Sequence, residues 1–171
     1  VLVYIESEEN KFKKTAYEAL SYGKALADKM GSKVSGLVIN CSDTDGLKKY
    51  GADKIITIDN PDFQKFSSKK YSHAIAEVIK SENSSVVILS SSANSKFIGA
   101  HLSGITDAAY VSNVVGIPES ISPFVIKRTC FTNKAFSSTE MIDGLKIISV
   151  SSNSFGMIEN FCTCLYSTNL L

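Results

Sequence analysis

The sequence lacks several features that mark common classes of protein. Its 171 residues include no tryptophan, three prolines and one arginine, and 18 basic residues against 17 acidic ones leave a formal charge of +1. Nucleic-acid binding driven by bulk charge needs a clustered basic surface, so we expect no nucleic-acid partner. No apolar run approaches the roughly 18–20 residues of a membrane span. The opening residues 1–6, VLVYIE, lack the basic start of a secretion signal, and we expect a cytoplasmic protein.

Cysteine is also scarce. The four cysteines, Cys41, Cys130, Cys162 and Cys164, are too few for a disulfide framework in a chain of this length. The Cys162-Thr163-Cys164 segment has no second pair and no neighbouring histidine, so half the ligands of a tetrahedral metal site are missing. We therefore expect reduced thiols and no metal site.

Catalytic motifs are missing as well. The chain has no G-x-x-x-x-G-K-S/T loop, no G-x-G-x-x-G after its first predicted strand and no G-x-S-x-G turn. The loop that follows the first strand, Ser7 to Asn10, is not the Ser-Gly-Gly-x-Asp-Ser loop of ATP-pyrophosphatases. The two histidines, His73 and His101, have no nucleophile at motif spacing. These absences predict a protein that is not an enzyme.

What is present is an alternation of short β-branched runs with longer helical patterns, typical of a doubly wound parallel sheet. Val86–Leu89 is the most apolar run and predicts a central strand that is buried on both faces. Beyond residue 108 the helical pattern stops, and we expect a mainly antiparallel extension. The predicted strands are residues 1–6, 34–39, 54–58, 86–89, 110–117, 124–131 and 145–150; the predicted helices are 13–30, 47–50, 71–81 and 96–104, with a loop at 59–62.

Ligands of open α/β sheets bind beyond the carboxyl ends of the strands, at the switch point. The predicted loops there are 6–10, 40–43 and 90–96. The third loop places small polar residues and a lysine before a helix, which is a candidate cradle for a phosphate or nucleotide. An ordinary loop whose serines cap the helix is the alternative. The candidate residues are Ser91, Ser92, Asn94, Ser95 and Lys96.

Other polar residues have simpler interpretations. Arg128 lies in an apolar strand and could pair with a buried acid, reach a neighbouring subunit, or simply occupy an edge. His101 follows the serine loop and is expected to be packed or hydrogen-bonded, while His73 is expected at the surface. The acidic pairs Glu8-Glu9 and Asp43/Asp45 lie in predicted loops, where charge is normally solvated.

The order of segments over residues 1–156 resembles the N-terminal domain of the electron-transfer flavoprotein alpha subunit. The matching segments are residues 1–6, 50–56, 91–107, 128–138 and 146–155. Where that family has a glycine, an arginine, a turn glycine and another arginine, this chain has Ser95, His101, Asn133 and Ser151. Asn133 still tolerates the left-handed backbone that the turn glycine would adopt.

The resemblance implies a three-layer Rossmann-like fold (adenine nucleotide alpha hydrolase-like), with antiparallel strands in the C-terminal third. It also implies a scaffold and subunit-contact domain of a flavin electron carrier, which pairs with a beta-like subunit and accepts electrons from dehydrogenases. FAD would belong to the complete complex and would not be bound tightly by this chain alone. The FAD-binding second domain is absent from residues 157–171, which we expect to be a tail or the start of a linker. Arg128 and His101 are candidate subunit or structural contacts. The alternative is a stand-alone adenine-nucleotide-binding module of universal-stress-protein-like architecture.

Overall fold

A computed structural model describes residues 1–8, 10–41, 44–142 and 144–160, and the backbone of 165–167. Three α-helices and two short 3₁₀ helices alternate with strands over the first two thirds of this part. The helices are α1 (Lys14–Met30), α2 (Ser68–Ser81) and α3 (Ala93–Thr106), with 3₁₀ helices at Asp45–Lys49 and Pro61–Phe63. The strands are β1 (Leu2–Ile5), β2 (Ser7–Glu8), β3 (Lys11–Phe12), β4 (Ser35–Ile39), β5 (Lys54–Ile58), β6 (Val86–Leu89), β7 (Ala109–Val114), β8 (Ser120–Ile121), β9 (Phe124–Cys130), β10 (Ala135–Met141), β11 (Lys146–Val150) and β12 (Leu165–Ser167).

The main sheet has the order β10-β9-β7-β11-β6-β1-β4-β5-β12, with β8 paired to β9. β1, β4, β5, β6, β7, β11 and β12 run parallel to their neighbours in that core. Val86–Leu89 is the middle strand, and all four of its residues are buried, as its uninterrupted apolar run predicts. The predicted parallel α/β sheet is confirmed.

Helices cover both faces of the sheet, which makes three layers. One apolar cluster joins α1 to one face through residues such as Val3, Leu20 and Ile88, and the other joins α2 and α3 to the opposite face. Gly23 is required where α1 packs on the sheet, because a Cβ at this position would collide with the side chain of Val3 on β1. The close approach of α1 to β1 therefore depends on glycine.

The helix ends follow local sequence signals. α1 ends at Gly31, which has a left-handed backbone with φ of 63°, as predicted. α2 and α3 begin three residues earlier than their apolar patterns suggest, because Ser67 and Ser92 accept hydrogen bonds from N–H groups at the first turns. The predicted loop at 59–62 contains the start of the 3₁₀ helix at Pro61–Phe63, where the Asn60 side chain accepts from the N–H of Asp62.

The C-terminal third is partly antiparallel. β8, β9 and β10 pair antiparallel, which confirms the antiparallel strands predicted there. β11 differs from the expected antiparallel extension, since it returns between β6 and β7 and runs parallel to both. Four of its five residues are buried, because it has neighbours on both edges and on both faces. No strand is predicted where β10 lies.

The chain then leaves β11 and passes along α1. We call residues 151–160 the exit strap. Asn160 donates its backbone N–H to the Lys49 carbonyl at 2.6 Å. Beyond it, β12 pairs parallel with β5 at the far edge of the sheet. Over the described residues, no helix combines the length and apolarity needed to cross a bilayer.

Candidate functional site

The switch point of the sheet lies between β1 and β6, from which the chain proceeds in opposite directions. Glu6 directly follows β1 and Ser90 directly follows β6, so parallel strands bring these two residues to the same edge. Of the three predicted loops, the first and the third therefore meet. Asn40, which begins the second loop, instead pairs with Asn60 through two hydrogen bonds of 2.9 Å. Residues 42 and 43 of that loop lie outside the described residues.

A buried carboxylate occupies the centre of this edge. Glu6 is only 5% exposed. Its Oε2 accepts from the Ser90 hydroxyl at 3.2 Å and from the Ser95 hydroxyl at 3.4 Å, while its Oε1 accepts from the Asn94 amide at 3.4 Å. The Ser90 and Ser95 hydroxyls also contact each other at 3.0 Å. The carboxylate therefore engages three of the polar groups at this turn.

Polar groups at the start of α3 form hydrogen bonds with other residues of the chain. The Ser92 hydroxyl accepts from the N–H of Ser95 at 3.0 Å, and Ser91 contacts the Ser152 hydroxyl at 2.6 Å. A helix N-terminus favours a negative charge, and here the Glu6 carboxylate supplies one. Of the predicted phosphate-loop residues, Ser95 is buried against Glu6, Ser91 and Ser92 are half-buried, and Asn94 and Lys96 are exposed. A phosphate would have to approach beside an existing carboxylate, and the phosphate loop stays a prediction.

Two tyrosines near Glu6 have a raised pKa. Burial raises the pKa of Tyr4 well above its ordinary value, with further contributions from Tyr71 and Glu6. Burial also raises the pKa of Tyr71, and Glu6 adds to that rise. Both phenols therefore stay protonated at neutral pH and carry no charge at this edge.

A second buried carboxylate holds the exit strap and was not predicted. Glu18 on α1 is 3% exposed and accepts from the backbone N–H groups of Asn153, Phe155 and Gly156 at 2.9, 2.8 and 3.0 Å. Burial by itself would raise the pKa of Glu18, but these N–H groups together outweigh it, and the pKa lies below its ordinary value. The sequence signal for this role is a single acid within the buried run of α1.

Neighbouring residues of α1 complete the attachment of the strap. The Ser21 hydroxyl donates to the Ile158 carbonyl at 3.3 Å and accepts from the Ile158 N–H at 3.1 Å. Tyr22 packs edge-on against Phe155, with ring centroids 5.4 Å apart, and donates its hydroxyl to the Gly116 carbonyl at 3.0 Å. One helix face thus fixes the direction in which the chain leaves the sheet.

The histidines and the arginine lie apart from both carboxylates. His101 on α3 packs against His73 on α2 with ring centroids 6.0 Å apart, and His73 is exposed. Arg128 pairs in register with Val114 of β7 and Ser137 of β10. Within the described part of the chain, His101 Nδ1 and Arg128 Nε are buried and have no hydrogen-bond partner.

The remaining acidic and thiol candidates show no shared site. Glu8 pairs with Lys13 at 2.7 Å and Asp45 with Lys48 at 3.1 Å, while Glu9 and Asp43 fall outside the described residues. Cys41 is buried and Cys130 is half-buried, and neither forms a disulfide among the described residues; Cys162 and Cys164 also fall outside. Where the structure describes the chain, no group of three or more His, Cys, Asp or Glu residues could hold a metal ion.

A mostly parallel sheet between helices, with a switch point between β1 and β6, defines a Rossmann-like α/β domain. The chain belongs to the electron transfer flavoprotein domain family, whose model matches residues 1–161. This finding confirms the resemblance seen in the sequence and favours the flavoprotein interpretation over the stand-alone nucleotide-binding module.

Known relatives of low sequence identity support this family assignment. The chain is 24% identical over 162 residues to the electron transfer flavoprotein subunit alpha of Bacillus subtilis (strain 168), covering 93% of this chain and 49% of the relative. It is 30% identical over 92 residues to the acryloyl-CoA reductase electron transfer subunit beta of Anaerotignum propionicum, covering 52% of this chain and 25% of the relative. It is 29% identical over 105 residues to protein FixB of Clostridium saccharobutylicum, covering 60% of this chain and 30% of the relative. The chain therefore spans half or less of the length of these relatives.

Proposed function

We propose that this chain is the scaffold and subunit-contact domain of a flavin electron carrier of the electron-transfer-flavoprotein type. In this role it pairs with a beta-like subunit, and the complex accepts electrons from dehydrogenases. The observation that carries the proposal is the match of the family over residues 1–161, to which alpha-subunit relatives add support. We also propose that the complex is cytoplasmic, since four cysteines in 171 residues are too few for the disulfide framework of a secreted domain.

The flavin belongs, in this proposal, to the complete complex. The switch point is where a Rossmann-like sheet normally receives a nucleotide, and here Glu6 already contacts Ser90, Asn94 and Ser95. A carboxylate beside the N-terminus of α3 opposes the diphosphate of FAD, because like charges repel at short range. The described residues at this edge therefore fit FAD poorly, and we assign no flavin contact to them.

We also propose that the domain is not an enzyme. Its buried carboxylates accept hydrogen bonds that hold the fold together: Glu6 at the switch point, and Glu18 from the exit strap. The hydrogen bonds described for them go to serine hydroxyls, an asparagine amide and backbone N–H groups. What the fold offers instead is the edge strand β10, most of whose residues are exposed, and such an edge suits subunit contact.

Co-expression with the beta-like subunit of the same organism tests this proposal. The full chain should co-purify with that subunit, while the chain purified alone should show no stoichiometric flavin absorbance. A yellow chain with one flavin per molecule would overturn the division between this domain and the flavin site, and failure to form any complex would overturn the subunit-contact role.

A further inference from the structure

The outward side of α3 carries no formal charge over ten residues. Residues 97–106 read FIGAHLSGIT, without Asp, Glu, Lys or Arg. The exposed residues of this stretch are Phe97, Ala100, Gly104 and Ile105, with Phe97 64% and Ile105 40% exposed. Their spacing of three, seven and eight residues places them on one side of the helix. We call these four residues the α3 face.

The neighbouring helix shows how different this face is. α2 packs with α3 on the same side of the sheet, in the same apolar cluster. The exposed residues of α2 are all polar: Lys69, Lys70, His73, Glu77, Lys80 and Ser81. Water solvates such side chains, whereas a continuous apolar face on an outer helix marks contact with another molecule.

Gly104 lies within the α3 face and has no use for packing inside this chain. Glycine destabilises the interior of a helix relative to alanine, so it usually answers a steric need. Gly99 has such a need, because a Cβ there would lie 2.7 Å from the Tyr110 ring. A Cβ at Gly104 would meet nothing within 4 Å in the described part of the chain. A second helix that crosses closely at this point would account for the glycine.

The charges that flank the α3 face indicate what this second helix is. Lys96 and Asp107 are both exposed and lie at opposite ends of the face. They are 11 positions apart in the sequence, about three turns of helix, so they lie on the same side of α3 and about 16 Å apart along its axis. In an antiparallel pair of two α3 helices, Lys96 of each copy therefore lies beside Asp107 of the other. A parallel pair would bring like charges together.

The same register brings the apolar residues together. The midpoint between Lys96 and Asp107 lies at residues 101–102, the centre of the uncharged stretch. A twofold axis there places Phe97 of one copy within about 3 Å, along the helix axis, of Gly104 of the second copy. The large ring can then occupy the space that the missing side chain leaves.

We propose that the α3 face is the contact of a homodimer, in which two copies of α3 pack antiparallel about a twofold axis near residues 101–102. Lys96 and Asp107 pair at both ends of this contact. Such a contact is isologous and closes on itself, so it produces a dimer and no filament. It goes beyond the proposed pairing with a beta-like subunit and uses no residue of β10.

Sedimentation equilibrium of the full chain tests the proposal. A contact made mainly by one helix is small, so we expect a reversible monomer–dimer equilibrium that reaches the dimer by about 500 μM. Gly104→Arg should weaken the dimer about 10-fold or more by blocking the close approach, and Phe97→Ser should do the same. Gly116→Arg is the matched control, because a Cβ there also meets nothing within 4 Å in the described part of the chain, and it should stay within about 2-fold of the wild type. Circular dichroism of each variant establishes that it is folded.

A charge exchange tests the antiparallel register. Lys96→Glu opposes acids at both ends of the contact and should weaken the dimer about 5-fold or more. The double variant Lys96→Glu/Asp107→Lys restores opposite charges at both ends and should recover most of that loss. If the dimer weakens in Lys96→Glu and the double variant recovers nothing, the proposed arrangement is wrong.

The remaining outcomes separate this inference from the proposed function. A wild-type chain that stays monomeric at every concentration overturns the homodimer, and so does a dimer that Gly104→Arg and Phe97→Ser leave unchanged. Co-purification of Gly104→Arg with the beta-like subunit should match that of the wild type. If Gly104→Arg instead loses that subunit, the α3 face belongs to the subunit, and the homodimer is overturned while the subunit-contact function stands.

Discussion

Replacing Glu18 by alanine should release the exit strap from α1. The wild-type carboxylate accepts three backbone N–H bonds, from Asn153, Phe155 and Gly156, at 2.8–3.0 Å. Alanine removes both oxygens and leaves these N–H groups to water or to no partner. The strap is half-buried at Phe155 and exposed at Asn153 and Gly156, so water can reach part of it.

The size of the effect follows from those bonds. A net loss of about 1 kcal/mol for each of three hydrogen bonds gives about 3 kcal/mol of unfolding free energy. In a chain of this length each kcal/mol lowers Tm by roughly 2–4 °C, so the alanine variant should melt roughly 6–12 °C below the wild type. Glu18→Gln keeps one acceptor oxygen without the charge and should cost about half as much.

The contribution of Glu18 should also depend on pH. Its pKa in the folded chain lies below the ordinary value of 4.5, so the folded state holds this proton less tightly than the unfolded state. The stabilisation is therefore complete above about pH 4.5 and is lost as the pH falls through the folded pKa. The difference in unfolding free energy between the wild type and Glu18→Gln should be flat at neutral pH and shrink below pH 4.5.

Urea unfolding followed by circular dichroism measures these differences, and hydrogen exchange reports the amides of residues 153–156. Glu77→Ala is the matched control, because Glu77 is an exposed helical glutamate that pairs with Lys80 at the surface. This control should change stability by less than about 0.5 kcal/mol. A Glu18→Ala variant as stable as the control, with unchanged protection of the strap amides, would refute the reasoning.

Three further predictions concern other parts of the chain. Gly23→Ala should destabilise the fold by about 1–3 kcal/mol in thermal melts, because the new Cβ meets the Val3 side chain, and a neutral result would contradict this tight packing. Thr132→Gly should raise the unfolding free energy by up to about 1 kcal/mol by relieving a left-handed threonine; an equal loss would show that the turn is not strained. Calorimetry with ATP and AMP should detect no micromolar binding, whereas micromolar binding that is lost in Lys96→Ala would favour the nucleotide-binding alternative.

The alternation of strands and helices was readable from the chain because each element carries its own pattern. The run Val86–Leu89 has no polar residue to place at a surface, and it is the central strand. Gly31 ends α1 because its left-handed φ is available at little cost to glycine. Asn133 adopts the left-handed backbone expected of it at the hairpin turn.

The position of β11 could not be read in the same way. Its local pattern predicts a strand, but its partners β6 and β7 belong to distant parts of the chain, and the β9–β10 hairpin intervenes between β7 and β11 in the sequence. Strand order is therefore a long-range property. The early starts of α2 and α3 were missed for a local reason, because capping serines extend a helix beyond its apolar pattern.

By itself, the sequence determined the class of fold and most of its elements, because hydrophobic periodicity, caps and turn residues act over a few neighbouring positions. Only the tertiary structure decided what the polar residues do. Glu6 and Ser90 are 84 residues apart, and Glu18 and Phe155 are 137 apart, so no local pattern relates them. Glu6 meets Ser90 because parallel strands bring distant chain segments to one edge, and Glu18 meets Phe155 because the exit strap passes along α1. In both places a buried carboxylate is satisfied by nearby O–H or N–H donors.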